Sequence, residues 1–277
     1  ELAKALAKKL GVSVDTINKK YAELNEHNPM LGHRGCRLAI TYPEIYETQV
    51  EAIAKATAKA QKEGLKHDVR IMIPNVTTFA ELKQIRAQAE AVIAEVNKAE
   101  KTELKFQIGS MIEFPRAACN AGEIAKYADF FSFGTNDLTQ TTYGFSRDDY
   151  SKFIDAYLDQ KVLLQDPFKT LDATGVGDMI DIAEARGRAV KADLHLGICG
   201  EHGGDPASIE LCYKLGLNYV SCSPFRVPAA RLAGAQAVIK ANKASKPAAK
   251  PAAKKAPAKK PAATTAKAPA KKPAAKK

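Results

Sequence analysis

The stretch Asp129-Phe-Phe-Ser-Phe-Gly-Thr135, followed directly by Asn136 and Asp137, decides the fold of this chain. Its short, mostly apolar run predicts a strand over residues 129–135. The polar residues that follow lie at the carboxyl end of that strand, which is where parallel α/β folds place their functional groups. Further strands of the same kind are therefore expected on either side of it.

Strand-like and helix-like segments alternate along the chain on both sides of this stretch. Further strands are predicted at residues 69–76, 105–113, 193–199 and 219–224, and helices at residues 44–64, 78–98, 115–127, 150–164, 178–192, 207–215 and 227–239. Thr77 or Thr78 is expected to cap the second of these helices. Two short helices separated at Gly11, with Ser13 or Asp15 as a cap, are predicted in the first thirty residues. This alternation predicts a parallel sheet with right-handed crossovers.

The number of strands bears on whether the sheet closes. A sixth strand is expected at Gly35–Ile40, which would make about six βα units. The fold class we predict is α/β, a (β/α)8 TIM-type barrel whose first two units would lie upstream of Glu1, occupying residues 1–240. An open doubly wound sheet is the alternative, although the chain shows no glycine-rich turn of the dinucleotide-binding type.

The positive charge of the chain is concentrated at one end. The net charge is +11, and residues 241–277 contain 12 Lys and no acidic residue, so residues 1–240 carry a net charge of −1. This segment also contains 15 Ala and 6 Pro, so it lacks the apolar surface that folding requires and predicts a disordered tail. Such a tail could bind nucleic acid without sequence specificity, or it could serve only as a solubilising appendage.

Composition excludes several other classes of protein. No apolar run approaches the roughly 18 residues of a membrane span, and the absence of Trp argues against a nucleic-acid platform built on base stacking. The five Cys show no C-x-x-C pair, which argues against a zinc site and a disulfide scaffold. Reduced thiols predict a cytoplasmic protein, with organellar import left open because the chain begins at Glu1.

Two carboxylates at neighbouring strand ends suggest a metal site. Glu113 ends one predicted strand and Asp137 follows the next. Mg²⁺ typically takes one or two protein carboxylates and fills its other positions with water and substrate oxygens. The alternative is that Glu113 caps a helix and Asp137 lies in a turn.

Other candidate groups lie near the same strand ends. Cys199 stands between Gly197-Ile198 and Gly200, with Glu201 and His202 next to it, so it is either an acid/base thiol or a buried structural one. Arg34 and Arg147 could bind an anion, although most arginines form surface ion pairs.

Four blocks together resemble one enzyme family: Asn28-Pro-Met-Leu-Gly-His-Arg-Gly-Cys-Arg37, Gly109-Ser-Met-Ile-Glu-Phe-Pro-Arg-Ala-Ala118, Phe131-Ser-Phe-Gly-Thr-Asn-Asp-Leu-Thr-Gln140 and Gly197-Ile-Cys-Gly-Glu-His-Gly-Gly-Asp205. They are similar to the phosphoenolpyruvate-binding barrel of the pyruvate, phosphate dikinases, over about residues 24–239. Phosphoenolpyruvate synthase and enzyme I of the sugar phosphotransferase system share this barrel.

The resemblance implies a phosphotransferase with paired acceptors that interconverts pyruvate and phosphoenolpyruvate. It implies Mg²⁺ as cofactor, a homodimer, and these roles: Glu113 and Asp137 as metal ligands; Gly134, Thr135, Asn136 and Asp137 as the loop that binds substrate carboxylate and phosphate; Cys199 as the acid that protonates the enolate carbon; and Arg34 and Arg147 near the phosphoryl group.

The chain also departs from the family pattern. It lacks the motifs Gly-Leu-x-Arg-Thr-Glu and Arg-Leu-Leu-Asp-Pro-Pro of the first barrel strands, and no His lies in a phosphohistidine-domain motif. We therefore expect the partner domains that hold the phosphohistidine and ATP to be absent and this chain alone to lack full turnover. Two alternatives remain: a phosphoenolpyruvate synthase fragment, and a non-catalytic barrel with a polyanion-binding tail.

Overall fold

A computed structural model describes residues 1–26 and 28–245 of the chain. It is an α/β fold built on a five-stranded parallel sheet in which the strands are paired in their sequence order. The strands are β1 (Arg70–Ile73), β2 (Gln107–Ile112), β3 (Phe130–Gly134), β4 (His195–Cys199) and β5 (Tyr219–Val220).

The helices precede, connect and follow these strands. Their bounds are α1 Leu2–Leu10, α2 Val14–Leu24, α3 Cys36–Thr41, α4 Pro43–Lys62, α5 Phe79–Glu100, α6 Pro115–Cys119, α7 Ala121–Ala125, α8 Thr135–Tyr143, α9 Ile154–Asp159, α10 Gly175–Val190, α11 Pro206–Lys214 and α12 Val227–Ser245. Short 3₁₀ helices form at Pro29–Leu31, Tyr150–Lys152, Glu201–Gly204 and Pro224–Arg226. None of the helices in the described ranges is long and apolar enough to cross a membrane.

The main core lies between one face of the sheet and the crossover helices, and we call this the outer face. Its strand residues are Ile71, Ile73, Ile108, Ile112, Phe131, Phe133, Leu196 and Ile198, which pack with apolar residues of α4, α5, α7 and α10. Side chains alternate between the two faces of a strand, so the remaining positions form an inner face. Met72 and Ser132 belong to this second face, and they line a cavity of about 270 Å³ there.

Sequential strand order with helices on one face is the arrangement of a singly wound sheet. A doubly wound sheet instead reverses its strand order and carries helices on both faces. That alternative prediction is therefore wrong for the described residues. The parallel α/β prediction is confirmed, whereas the five strands form an open sheet, so closure into a barrel is not confirmed.

The predicted sixth strand at Gly35–Ile40 is wrong, because these residues enter helix α3. Gly35 has φ of 58°, and Cys36 N donates to Pro74 O at 3.0 Å, so the chain turns sharply beside β1 instead of extending along it. Tyr42 precedes Pro43, which disfavours helical backbone at Tyr42 and separates α3 from α4. A short apolar run of this length suits a strand and a buried helix equally well.

Several predicted helix boundaries are also altered. The helix expected at residues 115–127 is divided at Asn120, and the one expected at 150–164 becomes a 3₁₀ turn followed by α9. Helix α12 continues to Ser245, so residues 241–245 are helical rather than part of a disordered tail. The rest of the predicted tail lies outside the described residues. Ser13 and Thr78 are the caps, and Thr78 forms a full capping box with Glu81.

Candidate functional site

The carboxyl ends of β1 to β4 meet at one edge of the sheet, because all four strands are parallel. Glu113 follows β2, α8 begins at Thr135 directly after β3, and Cys199 is the last residue of β4. Gly134 pairs with Cys199 in the β3–β4 register. The structure thus brings the predicted residues of three separate blocks to one edge.

Gly134 allows the Glu113 side chain to approach β3. A Cβ atom at position 134 would overlap Glu113 Oε2 and lie 2.9 Å from Glu113 Cβ, which is closer than real Cβ contacts and which a rotation of the Glu113 side chain would not relieve. Glycine at this position is therefore required by space, at a φ of −80° that any residue can adopt.

Glu113 is a buried carboxyl group with a strongly altered proton affinity. Only 2% of the residue is exposed, and its Oε1 accepts a hydrogen bond from Asn75 N. Burial raises the pKa of Glu113 to about 7, the Asn75 N–H opposes the rise, and the neighbouring Asp137 adds to it through charge repulsion and a side-chain hydrogen bond. The two predicted metal ligands are therefore close enough to influence each other.

Asp137 lies in the first turn of α8 and is 7% exposed. Its Oδ1 accepts a hydrogen bond from Arg34 Nη2 at 2.7 Å, while Arg34 Nε donates to Met30 O at 2.9 Å. Arg34 is thus at the site, on the loop that precedes α3. It balances part of the negative charge of the two carboxylates.

The donor set fits a hard divalent cation. Two buried carboxylates face each other, and the Asn136 Oδ1 oxygen is buried without a hydrogen-bond partner among the described residues. No group of three or more His, Cys, Asp or Glu side chains that could hold a metal ion occurs in the described ranges. Mg²⁺ needs only one or two protein carboxylates when water and substrate oxygens complete its shell, so the residues fit this ion.

Cys199 is a partly buried thiol beside these carboxylates. Its Sγ lies 3.7 Å from Phe133 O. Burial raises the pKa of Cys199, a hydrogen bond with Ser132 opposes this, and the charges of Glu113 and Asp137 raise it further. The group is therefore a protonated thiol at neutral pH, which suits a proton donor rather than a nucleophile.

Thr135 connects β3 to the loop after β4. Its Oγ1 donates to Cys199 O at 3.0 Å and lies 2.7 Å from His202 Nδ1. Gly200 has φ of 116°, and a Cβ atom there would lie 2.7 Å from Thr135 Oγ1. The loop after β4 is therefore packed directly on the first residue of α8.

Arg147 occupies the segment between α8 and α10. Its backbone N donates to Gln140 Oε1 at 3.0 Å, and burial lowers the pKa of His202 with a further contribution from the charge of the Arg147 side chain. Its side chain is therefore near enough to His202 for its charge to act on the imidazole.

Two residues of this edge were not predicted. His202 was noticed only as a neighbour of Cys199, yet it is completely buried. Asn75 is 2% exposed, has φ of 60°, and presents its backbone N–H to Glu113. The sequence around Pro74-Asn75 indicated the end of a strand, and the affinity of Asn for left-handed backbone is the one feature that could have singled it out.

Two carboxylates and a thiol thus meet at the carboxyl edge of a parallel sheet, which is where parallel α/β enzymes place their active sites. A family profile described as "PEP-utilising enzyme, PEP-binding domain" matches residues 5–239. The chain belongs to this family.

Individual relatives show which members of this family the chain is most similar to among those compared. The chain is 52% identical over 235 residues to "Pyruvate, phosphate dikinase" of Clostridium symbiosum, covering 84% of this chain and 27% of that protein. It is 52% identical over 242 residues to the dikinase of Rhizobium meliloti, covering 87% of this chain and 27% of that protein. The chloroplastic dikinase of Flaveria bidentis is 51% identical over 234 residues, covering 84% and 25%.

These relatives confirm the resemblance to the pyruvate, phosphate dikinases that the four sequence blocks indicated. The chain spans about a quarter of the length of the curated relatives it matches.

Proposed function

We propose that this chain is the part of a pyruvate, phosphate dikinase that binds pyruvate and phosphoenolpyruvate. In this reaction a phosphoryl group passes between a phosphohistidine on another domain and the enolate oxygen of pyruvate. The names of the relatives and the family of the chain support this proposal over the synthase alternative.

The observation that carries the proposal is the protonated thiol beside two buried carboxylates. When phosphoenolpyruvate gives up its phosphoryl group, the remaining enolate must receive a proton on its methylene carbon. Cys199 keeps its proton at neutral pH, because burial and the charges of Glu113 and Asp137 raise its pKa. In the reverse direction the same sulfur, as a thiolate, would remove a methyl proton from pyruvate.

The carboxylates would hold Mg²⁺ through Glu113 and Asp137. When bound, the ion would supply Lewis-acid stabilisation of the enolate oxygen. Arg34 keeps Asp137 in place through the 2.7 Å ion pair and leaves the other carboxylate oxygen available.

The first turn of α8 would bind the anionic groups of the substrate. Gly134, Thr135 and Asn136 precede or begin this helix, and among the described residues no side chain caps it. Its free backbone N–H groups suit carboxylate or phosphate oxygens. Arg147 would contribute charge to the phosphoryl side of the site. A homodimer in the cytoplasm completes the proposal.

A chimeric enzyme tests this function. Residues 5–239 replace the aligned part of the Clostridium symbiosum relative, which is 52% identical over 235 residues. We expect the chimera to form phosphoenolpyruvate from pyruvate, ATP and phosphate in a coupled assay. Cys199→Ala is expected to lower kcat by about 10²–10⁴, the range typical of a lost acid or base group. Asp137→Ala is also expected to lower kcat, because it removes one of the two carboxylates that would hold the metal ion.

Cys119→Ala is the matched control, because Cys119 is an exposed thiol at the end of α6 and is expected to leave kcat unchanged. Full activity in the Cys199→Ala chimera would remove the thiol from the mechanism.

A further inference from the structure

His202 joins two segments of the chain that are far apart in sequence. The residue is 0% exposed. Its Nε2 lies 2.8 Å from Pro167 O, in the segment between α8 and α10, and its Nδ1 lies 2.7 Å from Thr135 Oγ1, at the start of α8. Both ring nitrogens are therefore used, each by a different segment.

The chemistry of these contacts determines which nitrogen of the His202 ring carries a proton. A carbonyl oxygen only accepts, so Nε2 must carry a proton and donate to Pro167. Burial lowers the pKa of His202, although the Pro167 contact and the charges of Asp205 and Asp166 oppose the effect and Arg147 adds to it. The ring is therefore neutral, so Nδ1 is an acceptor, and the single proton of the Thr135 hydroxyl is shared between His202 Nδ1 and Cys199 O.

Thr135 links the His202 ring to the backbone of Cys199. Its Oγ1 is also 3.0 Å from Cys199 O, and Gly200 leaves no room between the two loops. Moving Thr135 would shift the backbone of Cys199, and with it the Sγ atom that rests against Phe133 O.

The segment that Pro167 belongs to, residues 144–174, also holds Arg147. Beyond the Pro167 contact, Arg147 N donates to Gln140 Oε1 at 3.0 Å and Leu171 N donates to Ser208 Oγ at 2.9 Å. The His202 ring contacts both this segment, at Pro167 O, and Thr135 Oγ1.

We propose that His202 is a positioning residue that couples the seating of segment 144–174 to the orientation of Thr135 and Cys199. The ring acts as a rigid spacer between Pro167 and the Thr135 hydroxyl, so the thiol is held in place only while the segment is seated. This inference deepens the proposed function and rests on it for the catalytic meaning of Cys199.

Alkylation of the cysteines tests the coupling without any ligand. The complete 277-residue chain is treated with iodoacetamide, and the modification rates of Cys199 and of the exposed Cys119 are compared by peptide mass spectrometry. In His202→Leu the ratio of the Cys199 rate to the Cys119 rate is expected to rise about tenfold, the factor that one lost hydrogen bond supports. His202→Gln keeps a donor and an acceptor and should raise it less than about threefold.

Two further variants separate positioning from a general loss of structure. His67→Leu removes an exposed histidine and should leave the ratio unchanged. Thr135→Val removes the hydroxyl while keeping the shape of the side chain and should raise the ratio as His202→Leu does. Because both changes break the same hydrogen bond, the double variant should not exceed the larger single effect.

Limited trypsin cleavage after Lys169, two residues beyond Pro167, measures separately whether segment 144–174 is packed against the rest of the chain. Cleavage should be faster in His202→Leu than in the parent chain and unchanged in His67→Leu. An unchanged cysteine ratio in both His202→Leu and Thr135→Val, or additive effects in the double variant, would overturn the proposal. If His202→Leu does not fold, a comparison of Thr135→Val with Thr135→Ser decides the same question, because Ser retains the hydroxyl.

Oxalate binding in the presence of Mg²⁺ distinguishes this inference from the proposed function. If the dikinase chimera with its parent residues fails to bind oxalate, the proposed function is wrong, whereas the cysteine ratio still reports on the coupling. If the chimera binds oxalate and His202→Leu weakens binding by about tenfold, both are supported.

Discussion

The two faces of the sheet differ in the side chains they carry and in how deeply these are buried. The outer face consists of large apolar side chains buried against helices, among them Phe131, Phe133 and Ile198, each 0% exposed. The inner face combines Ser132 and Met72, which is 37% exposed, with the rings of Phe130 and Tyr219, which lie over Gly109 and Gly197. The main apolar core is thus on the outer face, while Cys199 belongs to the inner face at the carboxyl edge.

Truncating one aromatic ring on the outer face should have the largest effect. Phe131→Ala leaves a cavity between β3 and α10 and is expected to lower the free energy of unfolding by about 3–5 kcal/mol. Met72→Ala on the inner face is the control and should cost less than about 1 kcal/mol, because its side chain is already partly solvated. Urea denaturation of both variants measures the difference. Equal losses would show that the two faces contribute equally to stability.

A buried carboxyl at the edge should make stability depend on pH. The pKa of Glu113 is raised from 4.5 to about 7 in the folded chain. The folded state therefore binds more protons than the unfolded state between these values, and stability falls as pH rises through this window. Glu113→Gln should be more stable than the parent at pH 8, by on the order of 2–3 kcal/mol, and nearly equal to it at pH 4.

Urea denaturation of both chains at several pH values measures this slope. The exposed Glu123→Gln serves as the control and should change neither the slope nor the stability at pH 8. A parent chain whose stability is flat between pH 4 and 8 would contradict the raised proton affinity of Glu113.

The smallest effect concerns two helix glycines. A Cβ atom at Gly187 in α10 would lie 2.8 Å from Leu194 Cδ2 and 3.0 Å from Phe131 Cε2, whereas one at Gly234 in α12 would meet no atom within 4 Å. Gly187→Ala is expected to destabilise by about 1–2 kcal/mol through overpacking. Gly234→Ala should stabilise by about 0.5–1 kcal/mol through helix propensity. Opposite shifts in thermal midpoint would confirm that α10 is held tightly against the outer face.

The sequence allowed most of the elements to be predicted, because their patterns are local. The strand around Phe131 was predicted, and Thr78 was one of the two residues predicted to cap α5, because both signals depend only on neighbouring residues. The turn at Gly35 was not predicted, because it depends on a hydrogen bond to Pro74 that only the folded chain provides. Short apolar runs such as Cys36–Thr41 remain ambiguous without that context.

The site residues also divide into those that the local sequence predicts and those that only the folded chain reveals. Glu113, Asp137 and Cys199 lie at or just after the ends of strands. The carboxyl ends of parallel strands meet at one edge of the sheet, so the sequence was enough to predict that these residues lie together. His202 and Asn75 were missed because their importance comes from contacts with residues 67 and 38 positions away, Thr135 and Glu113. The raised proton affinity of Glu113 likewise arises only from burial and from Asp137.

The order of the strands determines where local unfolding of the sheet is expected to begin. Strands β2, β3 and β4 each have a neighbour on both sides, whereas β1 and β5 have one neighbour each within the described residues. Amide hydrogens on the outward margins of β1 and β5 lack a ladder partner, so they would exchange with deuterated solvent long before those of β3. Fluctuations would therefore start at the margins and reach the centre last, leaving β3, from which Thr135 and Asp137 follow, as the most persistent part of the molecule.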